Sequence, residues 1–267
     1  MTTQRPLALH PPTAGGIRHF LEHQFVRYRA TWTSTLVSSV LFPVFFLLAV
    51  GFGLGSQIDD TSSLGTSDYA SFIGPGVLAG VAALQAGGLS LWPTLGAIKW
   101  QGDYQAALAT PLTPPELVIG HIVWIGFRIL VSASVYLAVL AVFGVVGSWW
   151  AVLAPLAAFL VAIAVAGPLS AWSAAQDGDD TFGPINRLGL TPLFLFSGAF
   201  FPLDQLPTVL AWVARIFPVW HGVELTRGTI NGSIGLDSAA IHVGVLLVWA
   251  GCGAVLSLRS FVRRLAA

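Results

Sequence analysis

The segment Trp149–Trp172 reads WWAVLAPLAAFLVAIAVAGPLSAW and contains no charged side chain. At about 1.5 Å per residue, a helix of this length crosses the ~30 Å hydrocarbon core of a bilayer. Its apolar residues are continuous and lack the alternation of a barrel strand. Because backbone polar groups in lipid must be satisfied within their own element, the segment predicts a transmembrane α-helix.

Further apolar runs surround this segment, and they are Leu36–Gly55, Tyr69–Trp92, Leu117–Val146, Leu188–Phe201 and Ala239–Leu258. The run that ends at Phe201 is short, and we expect it to take helical turns from Phe182–Arg187. Only 9% of the 267 residues are charged and 55% are hydrophobic, whereas a soluble domain has about 25% charged residues. The sequence therefore predicts an all-α polytopic membrane protein with six transmembrane helices, and it argues against a soluble enzyme.

Twelve Lys and Arg residues balance twelve Asp and Glu residues, so the chain offers no basic face for nucleic acid. The positive charges are unevenly distributed along the chain. With the N-terminus inside, only Arg215 and Arg227 lie in outer segments, and Arg128 lies within the third run. This asymmetry predicts that both termini are cytoplasmic. The inner basic residues are Arg5, Arg18, Arg27, Arg29, Lys99, Arg187, Arg259, Arg263 and Arg264.

The N-terminal region divides into two parts before the single transmembrane domain of residues 32–267. Residues 1–15 are rich in proline and lack an apolar run, which predicts a disordered cytoplasmic tail. Residues 16–31 predict an amphipathic helix in the cytoplasmic interface, with charges such as Arg18, Glu22 and Arg27 on its polar face. A simple membrane anchor is the alternative role for this helix. Its apolar face consists of Ile17, Phe20, Leu21, Phe25 and Tyr28.

Within this helix, His19, Glu22 and His23 match the H-x-x-E-H pattern of some zinc proteases. They define an alternative hypothesis, a membrane-embedded enzyme with a metal site at the interface. A catalytic zinc site needs a third protein ligand and a closed cleft, neither of which this terminal helix provides. Two solvated histidines on a polar face explain the pattern better, and we expect no metal or cofactor in this chain.

The loop of residues 93–116 contains a second short helix, which the sequence predicts over Gln101–Ala109. Prolines beginning at Pro111 end it, and Thr113 and Glu116 have the residue types that cap the next helix. A rigid short helix facing the cytoplasm suits a docking surface for a soluble partner. An ordinary capped connector is equally consistent with the pattern.

The outer segment of residues 202–238 contains Leu206–Phe217, an apolar helix too short to span a bilayer. We expect short helices here to re-enter the membrane or to lie in the interface. With Phe200, Phe201 and Pro202, this region can cover the outer end of a pathway.

Arg128 is the one clear charge within a predicted span, and we favour a structural or snorkelling role for it. We find no intramembrane carboxylate relay and no inverted repeat, which argues against the remaining alternative, an ion-coupled secondary transporter. The single lysine, Lys99, precedes Trp100, so the chain contains no phosphate-binding P-loop.

Two stretches resemble permease subunits of the ABC type-2 transporter family. Residues 103–120 read DYQAALATPLTPPELVIG, similar to the family's coupling-helix region, and residues 195–228 read LFSGAFFPLDQLPTVLAWVARIFPVWHGVELTRG, similar to the region before the last span. The order of parts along the chain is also similar. Among subgroups, the chain looks nearest to daunorubicin-resistance-type permeases and nodulation-type lipo-oligosaccharide export permeases.

The resemblance implies a pair of permeases that recruits two separate ATP-binding subunits, which hold the ATP and magnesium. It implies export of a lipophilic drug, a lipid or a lipid-linked glycan across the bacterial cell membrane, by a homodimer or a heterodimer. It also implies that an outer gate forms around Phe200, Phe201, Pro202 and Trp212. The residues that it implies for coupling to the ATP-binding partner are Gln101, Asp103, Tyr104, Leu108 and Glu116.

Overall fold

The computed structural model describes residues 13–55 and 68–266, and these residues form helices and connecting turns without strands. Residues 1–12 of the predicted tail lie outside the described residues. In chain order the α-helices are α1 (Ala14–Tyr28), α2 (Trp32–Phe46), α3 (Tyr69–Leu95), α4 (Asp103–Leu108), α5 (Pro114–Val142), α6 (Ala154–Ala174), α7 (Phe182–Pro184), α8 (Thr191–Phe194), α9 (Thr208–Ile216), α10 (Pro218–Asn231) and α11 (Leu236–Ala266).

Several of these helices continue through π-helical turns. Such turns follow α2 over Leu47–Leu54 and α3 over Gly96–Trp100, and they flank α8 over Ile185–Leu190 and Leu195–Ala199. The predicted fifth span is therefore a helical stretch that begins at Phe182, as expected, and alternates α and π turns. It ends at a kink where Gly198 has a φ of +81°, a conformation that glycine adopts without strain.

Within the described residues, four helical segments are long and apolar enough to cross a membrane: Tyr69–Trp100, Pro114–Val142, Trp149–Ala174 and Leu236–Leu265. They correspond to four of the six predicted spans. The first predicted span contains a shorter apolar helix, Val40–Gly51. The described residues thus confirm an all-helical chain with four candidate spans, whereas the total of six spans and the cytoplasmic termini remain predictions.

Helix α6 lies at the centre of the bundle, where it packs against α3, α5 and α11. Small residues let these helices approach closely. A Cβ atom added at Gly167 would lie 2.7 Å from the backbone of Gly253 in α11, so the two helices touch through their backbones. Two buried serines bridge the bundle: Ser257 donates to the Gly167 carbonyl, and Ser173 donates to the Leu91 carbonyl, both over 2.6 Å.

Arg227 of α10 organises the end of the bundle that the charge distribution assigns to the outside. Its guanidinium donates to the carbonyls of Gly198 (2.7 Å) and Phe72 (3.3 Å), and it lies 3.9 Å from the centre of the Phe72 ring. Only 13% of its side chain is exposed. Arg227 therefore joins α10 to α3 and to the Gly198 kink.

Candidate coupling site around the first helix and the short loop helix

Helix α1 lies lengthwise along the first half of α5. Thr13 contacts Glu116, Phe20 contacts Gly120 and Tyr28 contacts Arg128, so the two helices run side by side in the same direction. The observed helix spans Ala14–Tyr28, compared with the predicted 16–31. Its periodicity identified an apolar face, but the structure shows that α5 covers part of this face, where the sequence suggested only the membrane interface.

A buried carboxylate fastens the N-terminal ends of α1 and α5 together. Glu116, which is 3% exposed, accepts hydrogen bonds from the Thr113 backbone N–H (2.8 Å) and the Thr13 backbone N–H (2.9 Å). The Thr13 hydroxyl also donates to Glu116 and accepts from the Gly16 N–H. A Cβ atom at Gly16 would lie 2.3–2.4 Å from this carboxylate, so a glycine is needed there. Glu116 therefore joins the starts of both helices from a buried position, and its part in coupling stays a prediction.

Aromatic rings cover the rest of the contact between α1 and α5. Phe25 packs edge-on against Trp124 and Phe127, with ring centroids 5.0 and 4.9 Å away. Phe20 is buried over Gly120, where an added Cβ would lie 2.6 Å from its ring. The small size of Gly120 therefore determines how closely α1 approaches α5.

We expect Gly120→Ala to push α1 away from α5, because the new methyl group overlaps the Phe20 ring. Overpacking of this kind costs about 1–3 kcal/mol. The measurement is the thermal unfolding midpoint of the purified protein in detergent. Gly88→Ala is the matched control, because nothing lies within 4 Å of its added Cβ and alanine favours the helix. Equal midpoints for the two variants would contradict the close contact.

Helix α4 is shorter than the predicted Gln101–Ala109, because Gly102 adopts a left-handed conformation (φ +70°) just before Asp103. This turn directs α4 toward α1. The Arg27 guanidinium donates to the Asp103 carboxylate over 2.6 Å, which joins the end of α1 to the start of α4. The structure thus brings together two predicted candidates that are far apart in the sequence.

Tyr104 anchors α4 in the bundle. Its side chain is 4% exposed, and its hydroxyl lies 2.9 Å from His121 Nδ1 in α5. Burial raises the pKa of Tyr104, so its hydroxyl stays protonated beside His121. Its ring also packs 5.7 Å from the Phe261 ring of α11. Tyr104 is thus an anchor within this chain, and its part in coupling to a partner stays a prediction.

His121 extends this anchor to two further helices. Its Nε2 atom lies 3.0 Å from the Thr94 hydroxyl of α3 and 3.2 Å from the Ser170 hydroxyl of α6. In the tautomer that carries the proton on Nε2, His121 accepts a hydrogen bond from Tyr104 and donates one to either of these hydroxyls. Sequence reasoning missed this cluster, because its members are separated along the chain and form no local pattern.

The remaining candidates for coupling differ in exposure. Gln101 is exposed, and Leu108 is half-buried against the cluster that contains Tyr104. On α4 itself, Gln105 and Ala106 face outward, and the Gln105 amide donates to the Ile98 carbonyl. Helix α4 therefore combines an exposed outward face with a buried anchor, Tyr104.

The polar face of α1 is occupied by contacts within the helix. Glu22 pairs with Arg18 over 2.8 Å and with His19 over 3.3 Å. The hydrogen bond from Arg18 lowers the pKa of Glu22. Among the described residues, no group of three or more His, Cys, Asp or Glu side chains is placed to hold a metal ion. These contacts favour a solvated polar face over a site formed by His19, Glu22 and His23.

At the opposite end, the predicted gate residues occupy different environments. The Phe200 ring packs 5.0 Å from the Phe194 ring, and its carbonyl accepts from the Tyr69 hydroxyl. Phe201 and Pro202 are half-buried in the turn that follows Gly198. Trp212 lies on α9 with 61% of its surface exposed. Their role in a gate stays a prediction.

Comparisons with known proteins agree with this architecture. The family described as ABC-2 type transporter matches residues 16–231. Nodulation protein J of Sinorhizobium fredii is 29% identical over 239 residues, covering 88% of this chain and 89% of that protein. The protein of the same name from Bradyrhizobium diazoefficiens is 29% identical over 243 residues, covering 90% of each chain. The one from Rhizobium leguminosarum bv. viciae is 26% identical over 239 residues, covering 88% and 90%.

The family match includes most of α1, the coupling candidates of α4 and the predicted outer gate. It confirms the resemblance that the two sequence stretches carried, and it supports a membrane location in bacteria. A transport subunit of this family works with a separate ATPase subunit. The chain therefore belongs to the ABC-2 type transporter family.

Proposed function

We propose that the chain is the permease subunit of an exporter that a separate ATP-binding subunit drives. The family match and the similarity to nodulation protein J over most of both chains support this role. With a second permease, the chain forms a pathway out of the cytoplasm for a lipophilic drug, a lipid or a lipid-linked glycan. ATP and magnesium bind to the partner, and both termini of the permease lie in the cytoplasm of a bacterial cell.

The arrangement of α4 suggests how a movement of the ATP-binding subunit is transmitted to the permease. The ATP-binding subunit contacts the outward face of α4, which includes Gln105 and Ala106. Displacement of α4 moves Tyr104, whose contact with His121 reaches α3, α5 and α6 together. Through His121, a single short helix thus acts on three of the four long apolar helices found among the described residues.

A second connection reaches α1. The ion pair between Arg27 and Asp103 ties α4 to the end of α1, and Glu116 ties the start of α1 to α5. Helix α1 is therefore held at both ends, and movement of α4 shifts it relative to α5. The two connections together couple the inner ends of the helices to one partner surface.

The Arg27–Asp103 pair carries this proposal most directly, because it joins two candidate elements across a short distance. We expect Asp103→Arg to slow substrate export strongly while leaving the protein folded, since an exposed ion pair contributes only about 0.2–1 kcal/mol. Combining it with Arg27→Asp restores an attractive pair and recovers most of the export. The measurement is ATP-dependent transport into inverted vesicles that contain the permease and its ATP-binding subunit.

Asp237→Arg is the control for this experiment, because it reverses an exposed charge at the other end of the bundle. It is expected to transport like the parent protein. Failure of the double variant to transport better than Asp103→Arg alone would show that the pair does not couple α1 to α4.

A further inference from the structure

A cavity of about 480 Å³ lies between α1, α3, α4 and α5. Its walls include Gln24 and Tyr28 of α1, Trp92 at the end of α3, Asp103 of α4 and Arg128 of α5. The volume falls within the range of about 300–1,000 Å³ that small-molecule sites occupy. The cavity is thus large enough to hold the polar head of a lipid-like molecule.

The cavity contains one positive charge that the protein does not neutralise. Arg27 is paired with Asp103 at 2.6 Å. Arg128 takes part in none of the ion pairs formed by residues 13–55 and 68–266, and its Nε atom is buried without a hydrogen-bond partner. Its guanidinium lies 5.5 Å from the Tyr28 ring. Arg128 is half-buried, and a charge partly removed from water is stabilised by a counter-charge, so the site favours binding of an anion.

The remaining walls suit an amphiphile. Three tryptophans, Trp92, Trp100 and Trp124, line the cavity, and Trp100 is largely exposed. Tryptophan prefers the level of lipid headgroups, because its ring is apolar and its N–H is polar. An apolar tail therefore fits beside these rings while an anionic head lies at Arg128.

We propose that this cavity binds the anionic headgroup of an amphiphile, such as a phosphate or a carboxylate, with Arg128 as its counter-charge. Helix α1 forms one wall of the site, so that a displacement of α1 changes access to it. Binding at this site does not require ATP hydrolysis. A negative binding result would therefore leave the proposed exporter function intact, and the two proposals fail separately.

The test uses the full-length chain in maltoside micelles, titrated with dioctanoyl phosphatidic acid and followed by native mass spectrometry. We expect saturable binding of one molecule per chain. We expect two control molecules to bind at least about tenfold more weakly. They are dioctanoyl phosphatidylcholine, whose head has no net charge, and inorganic phosphate, which lacks a tail. Equal binding of phosphatidylcholine would exclude recognition of the charge, and equal binding of inorganic phosphate would exclude the role of the tail.

Two variants test the location of the site. Arg128→Met should weaken phosphatidic acid binding about tenfold or more, because it removes a charge-assisted hydrogen-bond donor. Arg259→Met, at an exposed arginine of α11, should bind like the parent protein. If Arg128→Met does not elute as a folded protein, Gln24→Trp takes its place. The larger tryptophan ring fills part of the cavity and leaves Arg128 unchanged. Undiminished binding by the folded variant would overturn the proposal.

Discussion

Replacement of Arg227 with methionine is expected to abolish a stable, folded permease. The variant removes the donors that satisfy the carbonyls of Gly198 and Phe72 at the predicted outer end. Loss of buried hydrogen bonds to a charged group costs about 2–5 kcal/mol, a large part of the stability of a typical protein. The measurement is the yield of monodisperse protein in detergent and its thermal unfolding midpoint.

Two further variants test whether Arg227 acts through its two hydrogen bonds or only through its positive charge. Arg227→Lys should recover little stability, since an ammonium group cannot reach two separate carbonyls in the geometry of a guanidinium. Arg215→Met, in the preceding helix α9, should be tolerated because Arg215 is exposed and only stacks near Trp212 and Trp220. A stable Arg227→Met protein would show that the Gly198 kink holds without this residue.

The second large effect is expected at Tyr104. Tyr104→Ala removes a buried ring from the contact with Phe261 and leaves His121 Nδ1 without its hydrogen-bond partner. Truncation of a large buried aromatic side chain costs about 3–5 kcal/mol. We therefore expect α4 to detach from the bundle and ATP-driven transport to be lost, while the partner subunit retains ATP hydrolysis of its own.

Tyr104→Phe separates the hydroxyl from the ring. It keeps the packing against Phe261 and removes only the hydrogen bond to His121, at a cost of about 1–3 kcal/mol. We expect this variant to fold and to hydrolyse ATP with its partner, but to transport fewer molecules per ATP. The measurement is the ratio of transport to ATP hydrolysis in reconstituted vesicles. An unchanged ratio would show that His121 does not receive the movement of α4.

The long helices could be predicted from the sequence because their signal is local. Trp149–Trp172 was predicted as one span, and the structure has a helical segment over Trp149–Ala174. The apolar run Leu117–Val146 corresponds to α5 over Pro114–Val142. In both cases a continuous apolar stretch determines the element, and its ends differ by a few residues because prolines and caps determine where a helix starts.

The contacts between helices at the candidate site could not be predicted from sequence patterns. The apolar face of α1 was visible in its spacing, but the residues that it packs against lie near Gly120 and Trp124 in α5. The contact of His121 with Tyr104 and Ser170 joins positions 17 and 49 residues away. Such contacts depend on how the helices assemble, which no periodicity within a single helix can show.

The predicted coupling residues occupy different environments, and this difference also depends on how the helices assemble. Residue type and family resemblance pointed to Asp103, Tyr104 and Glu116 as one group. The structure distinguishes them: Asp103 pairs with α1, Tyr104 anchors α4 in the bundle, and Glu116 caps α5 and holds Thr13. Burial separates an anchor from a docking surface, and burial is a property of the assembled fold.

We propose that an ATP-binding subunit acts on this chain through the outward face of α4. The most direct test is co-expression with a candidate ATP-binding subunit, purification through a tag on this chain alone, and measurement of co-elution and vanadate-sensitive ATP hydrolysis. We predict a stable, active complex that Ala106→Arg disrupts and that Asp237→Arg leaves intact. A chain that purifies without an ATP-binding subunit, or a complex that Ala106→Arg does not weaken, would contradict the claim.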